Sequence, residues 1–299
     1  MEADMQALVD GVKNGIVGTI KGTGEVVDAV ADTVSKSLSN ALKGTGNVGL
    51  ALTEAVTDVS TGAIQGVAQV GGDLGRAAKG AIIGVLQGTK DVGANALDAT
   101  GSTAERLIST TAEVGASLTD GAAQTIEGAI EGAKRAGVSA IDAVTVASAG
   151  AIKGLGGVGK VTTAAASDVA RGIVDGAAHV GGDLGAAAKG TVLGVVRGVK
   201  DLGTASIDMI GTTAGSLVSE TAKVGGNLGI TAKGAVEGAI VGAKEIGVDT
   251  AAAASAAANG ALKAAGSVGT TAVDEIKRTL TGTIAGVKVV LKEPFTQTA

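Results

Sequence analysis

The feature that most constrains this chain is a repeat of eleven residues that runs from Ala3 to Ala299 without an insertion. It divides those residues into 27 blocks, of which GAIIGVLQGTK (Gly80–Lys90) and QTIEGAIEGAK (Gln124–Lys134) are typical. Eleven residues make three turns at about 3.67 residues per turn, close to the 3.6 of an α-helix. Equivalent positions therefore stay on one face. The repeat predicts an all-α fold of long amphipathic 11/3 helices, either continuous or folded back into antiparallel or right-handed helical bundles.

The apolar residues of each block fall on one side of such a helix. Block positions 9, 2, 6, 10, 3 and 7 lie side by side in an arc about 160° wide. This apolar arc holds Gly, Ala, Val, Thr, Ile and Leu, whereas the other positions hold nearly all the Asp, Glu, Lys, Asn and Gln. Position 7 is Ile, Leu, Val or Phe in 19 of the 27 blocks. We expect the following position-7 residues to face lipid or a neighbouring helix: Ile20, Leu42, Ile64, Leu86, Leu97, Ile108, Ile130, Ile141, Ile152, Val174, Val196, Ile207, Val218, Ile240, Leu262, Val273 and Ile284.

Lysine and glycine recur at fixed places beside this arc. Lysine at position 11 lies at one margin, where its stem can follow an apolar surface while its ammonium group reaches water or a lipid headgroup. These interfacial lysines are Lys13, Lys79, Lys90, Lys134, Lys189, Lys200, Lys233, Lys244, Lys277 and Lys288. Glycines at positions 5 and 9 form GxxxG pairs, which allow two helix backbones to approach closely. We expect close helix packing at Gly84, Gly88, Gly128, Gly132, Gly194, Gly198, Gly238 and Gly242.

A second, longer repeat lies on top of the first. The segment DVSTGAIQGVAQVGGDLG from Asp58 returns as DVARGIVDGAAHVGGDLG from Asp168. Because the interval between the two copies is ten undecads, the longer repeat preserves the helical phase of the shorter one. The predicted organisation is N-terminal undecads (1–57), two superrepeats (58–167 and 168–277), and C-terminal undecads with a tail (278–299).

Three glycine-rich segments leave the path of the helix open. They could be turns where long helices fold back, or weak points within a continuous helix. They are GGDLG at Gly71–Gly75 and at Gly181–Gly185, and GGNLG at Gly225–Gly229.

The composition argues that these helices need a surface to fold against. The chain has 51 Gly, one Phe and neither Trp nor Tyr, so no large aromatic core is available. Each glycine costs about 1 kcal/mol relative to Ala inside a helix, and some fifty of them oppose helix formation by tens of kcal/mol. We therefore expect the helix to form on an apolar surface or against a close neighbour.

Several functional classes are disfavoured. A net charge of −5 with both signs mixed along the chain argues against a nucleic-acid partner. There is no cysteine for a disulfide or a thiolate metal site. The start lacks a basic region followed by an apolar core, and the longest uncharged stretch, Val59 to Gly72, is too short and too polar to cross a bilayer. The sequence predicts a cytoplasmic protein that is peripheral on a lipid surface.

The candidate catalytic features are weak. GLGGVGKVTT (Gly154–Thr163) resembles a phosphate-binding loop, but Val161 stands where a Ser or Thr would bind magnesium. We interpret it as repeat sequence. We interpret His179, Glu127 and Glu131 as solvated residues of the polar face. The sequence predicts no enzyme, catalytic residue, metal, cofactor or small-molecule substrate.

The segments GTKDVG (Gly88–Gly93) and AKGTVLG (Ala188–Gly194), and the GAK blocks followed by RAGV and EIGV, resemble the undecad repeats of perilipins. More loosely, they resemble the KTKEGV-type repeats of synucleins. The resemblance implies an unstructured chain that becomes an amphipathic helix on lipid droplets or membranes.

The leading hypothesis from the sequence is thus a protein that coats a lipid monolayer or bilayer, on a droplet, storage granule or membrane, and folds on binding. Two alternatives stay open. One is a structural protein that self-assembles through its GxxxG faces into bundles or filaments, with itself as partner. The other is a protectant against desiccation or freezing.

Overall fold

The computed structural model describes residues 2–23, 25–43, 48–157, 163–201 and 207–291. The chain divides into two compact units, Met1–Lys160 and Val161–Ala299. Helices packed on one another make up nearly all of the described residues, so the all-α prediction is confirmed at that level. The described helices are 11 to 22 residues long, so the chain folds back repeatedly instead of forming long continuous helices.

The first unit is a zigzag of helices in two layers. Helices α1, α3, α5 and α7 pack side by side in one layer, and α2, α4 and α6 in the other, while each helix also contacts the next along the chain. The described helices of this unit are α1 (Glu2–Thr23), α2 (Val26–Leu42), α3 (Val48–Gln69), α4 (Leu74–Asp91), α5 (Ala96–Glu113), α6 (Leu118–Ala136) and α7 (Ala140–Gly157).

The second unit repeats this scheme. Helices α8, α10 and α12 form one layer, and α9, α11 and α13 form the other. A two-stranded antiparallel hairpin follows α13, and its second strand packs on α12. The described elements are α8 (Thr163–Val180), α9 (Leu184–Asp201), α10 (Ile207–Lys223), α11 (Leu228–Ile246), α12 (Thr250–Val268), α13 (Thr270–Leu280), β1 (Gly282–Ile284) and β2 (Val287–Val289).

Neighbouring helices within a layer run parallel. A Cβ atom added to Gly80 of α4 would lie 2.5 Å from the carbonyl oxygen of Val27 in α2, and one added to Gly84 would lie 2.5 Å from that of Ala31. The contacts advance by four residues in the same direction on both helices, so α2 and α4 are parallel. The helix between two parallel helices must return the chain, which makes consecutive helices antiparallel.

Seven of the described turns between helices share one geometry. At the turn after α3, Gly71 has a φ of 67°, in the left-handed region that glycine enters without steric cost. The Gly71 N–H donates to the carbonyl of Ala68 (3.1 Å) and the Gly72 N–H to that of Val67 (3.0 Å), the pattern of a Schellman motif. The Asp73 side chain then accepts a hydrogen bond from a backbone N–H of the next helix. Left-handed glycines of this kind recur at Gly71, Gly93, Gly115, Gly137, Gly181, Gly225 and Gly247.

Small residues fill the interior. The buried side chains are mostly Ala, Val, Ile and Leu, and many Thr are buried beside them. Most of the buried threonines donate to the carbonyl four residues earlier, as Thr100 does to Ala96 (2.7 Å) and Thr111 to Leu107 (2.6 Å). Such a bond satisfies the hydroxyl within its own helix, so threonine serves here as a small core residue.

The C-terminal hairpin corrects the prediction of helix throughout. The repeat assigned residues 278–288 to a helical block, but β1 and β2 pair with Ile284 opposite Val287. Ala285 and Gly286 between them have φ values of 48° and 82°, as a tight hairpin turn requires. The strands are rich in β-branched residues, which favour extended backbone once a helix offers a surface to cover. The predicted tail, EPFTQTA, lies entirely outside the described residues.

Candidate functional site: the apolar arc and its glycine grooves

Most of the apolar arc faces other helices. Twelve of the seventeen position-7 residues are buried, and Ile20, Leu97 and Val273 are half-buried. Ile141 and Ile207 are exposed, at 41% and 42%, at the starts of α7 and α10. The buried ones are Leu42, Ile64, Leu86, Ile108, Ile130, Ile152, Val174, Val196, Val218, Ile240, Leu262 and Ile284, of which Ile284 lies in β1 instead of a helix.

The GxxxG glycines form grooves that receive the preceding helix of the same layer. A Cβ atom on Gly128 of α6 would lie 2.8 Å from the carbonyl oxygen of Lys79 in α4, and one on Gly132 would lie 2.6 Å from Leu86 Cδ1. Gly88 meets Ser35 of α2 in the same way, at 2.8 Å from its carbonyl oxygen. The backbone contacts at Gly128 and Gly88 leave no room for a methyl group, whereas at Gly132 the Leu86 side chain would have to shift to admit one. The remaining predicted pairs are Gly238 and Gly242, which pack against Lys189 and Val196 of α9, and Gly194 and Gly198, which are buried in α9.

The position-11 lysines lie at the surface or at its edge. Those that are exposed are Lys90, Lys134, Lys200, Lys233, Lys244 and Lys288, and those that are half-buried are Lys13, Lys79, Lys189 and Lys277. Whether they meet lipid headgroups stays a prediction.

Lys79 is the centre of an ion-pair cluster that joins three helices, α2, α4 and α6. Its Nζ atom lies 2.8 Å from Glu127 Oε1 and 3.0 Å from Glu131 Oε2, both on α6. Arg135 also pairs with Glu131, and it reaches Asp28 of α2 at 3.5 Å. The side chains of Lys79, Glu127 and Glu131 are only 17%, 12% and 27% exposed. The prediction that both glutamates are solvated is therefore wrong, because parallel packing of α4 on α6 brings a lysine over them.

The charges within this cluster shift each other's titration. Burial alone would lower the pKa of Lys79, but hydrogen bonds and attraction to Glu127 and Glu131 outweigh it and raise that pKa above 10.5. Burial alone would raise the pKa of Glu131, but its contacts with Lys79 and Arg135 hold that pKa below 4.5. Lys79 and Glu131 are therefore both charged at neutral pH.

The second unit has related pairs between α9 and α11. Lys189 lies 3.5 Å from Glu237, which repeats the Lys79–Glu127 pair one superrepeat later. Arg197 makes a two-pronged contact with Glu245, at 2.8 and 2.9 Å. The hydrogen bond from Arg197 lowers the pKa of Glu245 despite some opposing burial.

The described residues of the motifs that suggested chemistry from sequence lie within helices. Gly154 lies in α7 and packs against Glu105 and Ile108 of α5, whereas 158–162 of the GLGGVGKVTT segment lie outside the described residues. His179 is exposed, and its Nδ1 atom lies 2.9 Å from the carbonyl oxygen of Asp175 in its own helix.

The GGDLG and GGNLG segments, which the sequence left open as turns or weak points, are turns with left-handed glycines at Gly71, Gly181 and Gly225. Sequence reasoning missed the corresponding turns at Gly93, Gly115, Gly137 and Gly247, although the sequence carried their signal. From Gly49 to Gly269, every second block has Gly at position 3, and Asp, Asn or Ser usually follows two residues later. At seven of these glycines, from Gly71 to Gly247, the structure has a left-handed backbone followed by the start of the next helix. Gly159, within GLGGVGKVTT, has the same register, which accounts for the resemblance of that segment to a loop.

Two shallow grooves open between described helices. One, of about 640 Å³, lies between α10 and α12 and is lined mainly by Gly, Ala, Ser and Thr, and the other, of about 530 Å³, lies between α3 and α5. In the described part of the chain, no group of three or more His, Asp or Glu residues could hold a metal ion. None of the described helices combines the length and the apolar character needed to cross a membrane.

Comparison with known protein families finds no match for this chain, and comparison with curated proteins finds none either.

Proposed function

We propose that this protein is a non-enzymatic coat of lipid surfaces, located in the cytoplasm and peripheral on a droplet, storage granule or membrane. The observation that supports it is the apolar arc: helix after helix supplies its buried side chains from the same block positions. In the compact units these side chains cover one another. A lipid surface could replace those contacts, because burial of apolar area is worth about 25 cal/mol per Å² in either setting.

The binding would consist of many weak contacts. With one Phe and no Trp or Tyr, the chain has no strong aromatic anchor. The position-11 lysines lie at the margin of the arc, where their ammonium groups could contact headgroups while acidic residues stay in water. Such a coat is held on its surface by the number of repeated contacts along a long chain, since each contact is weak.

Flotation with phosphatidylcholine vesicles and with triolein emulsions tests the proposal. The wild-type protein should float with lipid, and a triple variant Leu97→Ser, Ile141→Ser and Ile207→Ser should bind at least tenfold more weakly. These three residues are half-buried or exposed, so the folded units tolerate the change, while each loses an apolar contact worth more than about 1 kcal/mol on lipid.

The matched control replaces the aspartate that follows each of these residues on the polar face. Asp98→Ser, Asp142→Ser and Asp208→Ser should leave lipid binding unchanged, because position 8 points away from the apolar arc. A folded wild-type protein that fails to float, or equal binding by both triple variants, would contradict the proposal.

Self-assembly is a second candidate, and α1 favours it. Gly11 and Gly18 carry the glycine register of the packed grooves, yet a Cβ atom on either would meet nothing within 4 Å. A helix of a second copy could occupy this groove. Light scattering that finds ordered oligomers without lipid, disrupted by Gly18→Leu, would support this role, and a strictly monomeric protein would exclude it.

A further inference from the structure

We infer that the left-handed glycine turns are hinges at which the units open, so that consecutive helices join into one continuous helix with a single apolar face. This inference rests on the proposed lipid binding and specifies how the buried arc becomes available. It predicts a closed form in solution and an extended form on lipid.

The turns occur at a fixed spacing along the chain. Gly71, Gly93, Gly115 and Gly137 follow one another at intervals of two undecads, or six turns of an 11/3 helix. If the turns straightened, the position-7 residues of successive helices would return to the same face. The closed fold does not need this, because helix–helix connections of varied length serve equally well in bundles. Only a continuous helix requires a spacing of the turns that keeps the position-7 residues of successive helices on one face.

The turns also lie in open surroundings. A Cβ atom added to any of the seven left-handed glycines would meet nothing within 4 Å, so no tertiary packing holds these residues in place. The turns are held by local bonds, such as the Schellman pair and the N-cap side chain. A change to helical dihedrals replaces those bonds with ordinary helical ones. Straightening therefore meets no obstacle at the glycine itself, although it releases neighbouring residues such as Val138, which packs against Leu86 and Ala96.

Contacts between consecutive helices and ion pairs between alternate helices both oppose opening. The Lys79 cluster joins α4 to α6, and Arg197 with Glu245 joins α9 to α11. In a continuous helix, the sequence separation of 48 between Lys79 and Glu127 would place them about 72 Å apart, at a rise of about 1.5 Å per residue. These ion pairs therefore stabilise only the closed form, because they exist only while the helices between them are folded back.

Distance measurement between two spin labels tests the hinge directly. The chain has no cysteine, so Lys90→Cys and Lys134→Cys give two unique sites at the exposed ends of the parallel helices α4 and α6. In the closed unit the two helix axes are about 10 Å apart, and the labels should be separated by less than about 30 Å. On phosphatidylcholine vesicles or triolein emulsions, a continuous helix from one label to the other should separate them by about 66 Å.

The outcomes distinguish this inference from the proposed function. A wild-type protein that does not float refutes lipid coating. A protein that floats while its labels stay close binds lipid in its closed form, and only the hinge is refuted.

Substitution at the turns should shift the balance. Gly93→Ala with Gly115→Ala disfavours the left-handed conformation at both turns between the labels, so the long distance should gain population at lower lipid concentration. The control is Gly266→Ala in α12, a helical glycine with nothing within 4 Å, which should leave the label distance unchanged. A turn variant that behaves like this control would contradict the hinge.

An insertion tests the phase requirement independently. One Ala inserted between Gly115 and Ala116 would turn the following helix by about 100° in a continuous helix, and lipid affinity should fall several-fold. An insertion of eleven residues, a second copy of Glu113–Ala123, keeps the phase and should retain the affinity. Circular dichroism without lipid verifies that both variants fold. Equal affinity of the two variants would overturn the inference.

Discussion

Glycine has two opposite roles in this chain, which differ in the space around the residue and in its backbone conformation. In the helices, glycines such as Gly84 form grooves in which the backbone of another helix lies within contact distance. At the turns, glycines such as Gly115 have open space but positive φ values. The first kind is required because a methyl group does not fit, and the second because an L side chain strains the backbone.

Gly84→Ala therefore should destabilise the protein although alanine favours helix. A Cβ atom there would lie 2.5 Å from the carbonyl oxygen of Ala31 and 2.9 Å from Val34 Cβ. Overpacking of this kind costs about 1–3 kcal/mol, and the helix propensity returns about 1 kcal/mol at most. We expect a net loss of about 1–2 kcal/mol in the free energy of unfolding, measured by denaturant titration.

The matched control is Gly11→Ala in α1, where nothing lies within 4 Å. Helix propensity then acts alone and should stabilise the protein by up to about 1 kcal/mol. Equal effects of the two substitutions would show that the groove does not restrict side-chain size.

At the scale of elements, the fold depends on pairs of alternate helices. Charged residues on the polar face of one helix meet those of its parallel neighbour, two helices further along the chain, as with Lys79 and Glu127, or Lys189 and Glu237. The two pairs have the same place in the superrepeat but differ in exposure, since the Lys79 side chain is 17% exposed and that of Lys189 is 40%. The duplication thus provides an internal comparison of a buried and an exposed ion pair.

Lys79→Ala should lower the free energy of unfolding by about 2–3 kcal/mol, because it removes the cation that both Glu127 and Glu131 contact and leaves only Arg135 paired with Glu131. Lys189→Ala should cost less than about 1 kcal/mol, as is usual for exposed pairs. Urea denaturation of both variants provides the measurement. A larger loss for Lys189→Ala would contradict the burial that the structure assigns to the two sites.

At the scale of the whole molecule, the paired carboxylates make stability depend on pH. The folded-state pKa of Glu131 and that of Glu245 lie below the ordinary value of 4.5. Their contribution is therefore complete above that ordinary value and is lost as the pH falls through the lower folded values. The carboxyl group of Asp58 has the opposite effect on the pH dependence of stability. Burial and the charge of Glu54 raise its pKa, and they outweigh the charge of Arg106, which lowers it.

We expect the variant Glu131→Gln and Glu245→Gln to be less stable than wild type at neutral pH, because both ion pairs are lost. The difference in the free energy of unfolding should shrink below about pH 4.5 and vanish once the wild-type carboxylates are protonated. Thermal unfolding across this pH range measures it. A difference that is independent of pH would mean that the glutamates stabilise the fold without their charge.

The sequence by itself determined that the chain is helical and which face of each helix is apolar, because both follow from a local period of eleven residues. It also indicated the close-packing role of Gly84, Gly88, Gly128 and Gly132, whose spacing places them in a row along one helix face. It did not lead us to expect that Lys79 covers Glu127 and Glu131, since no local pattern records a contact between residues so far apart in the chain.

The tertiary structure decided where the helices end and what covers the apolar arc. A continuous helix and a folded array satisfy the same undecad pattern, and the choice depends on whether packing between alternate helices offsets the cost of the turns. Likewise, 282–289 continue the repeat but form a hairpin, because strand pairing and contact with α12 outweigh a weak helical preference. Local periodicity fixes which face of the backbone is apolar, whereas the partner of that face depends on contacts between residues far apart in the chain.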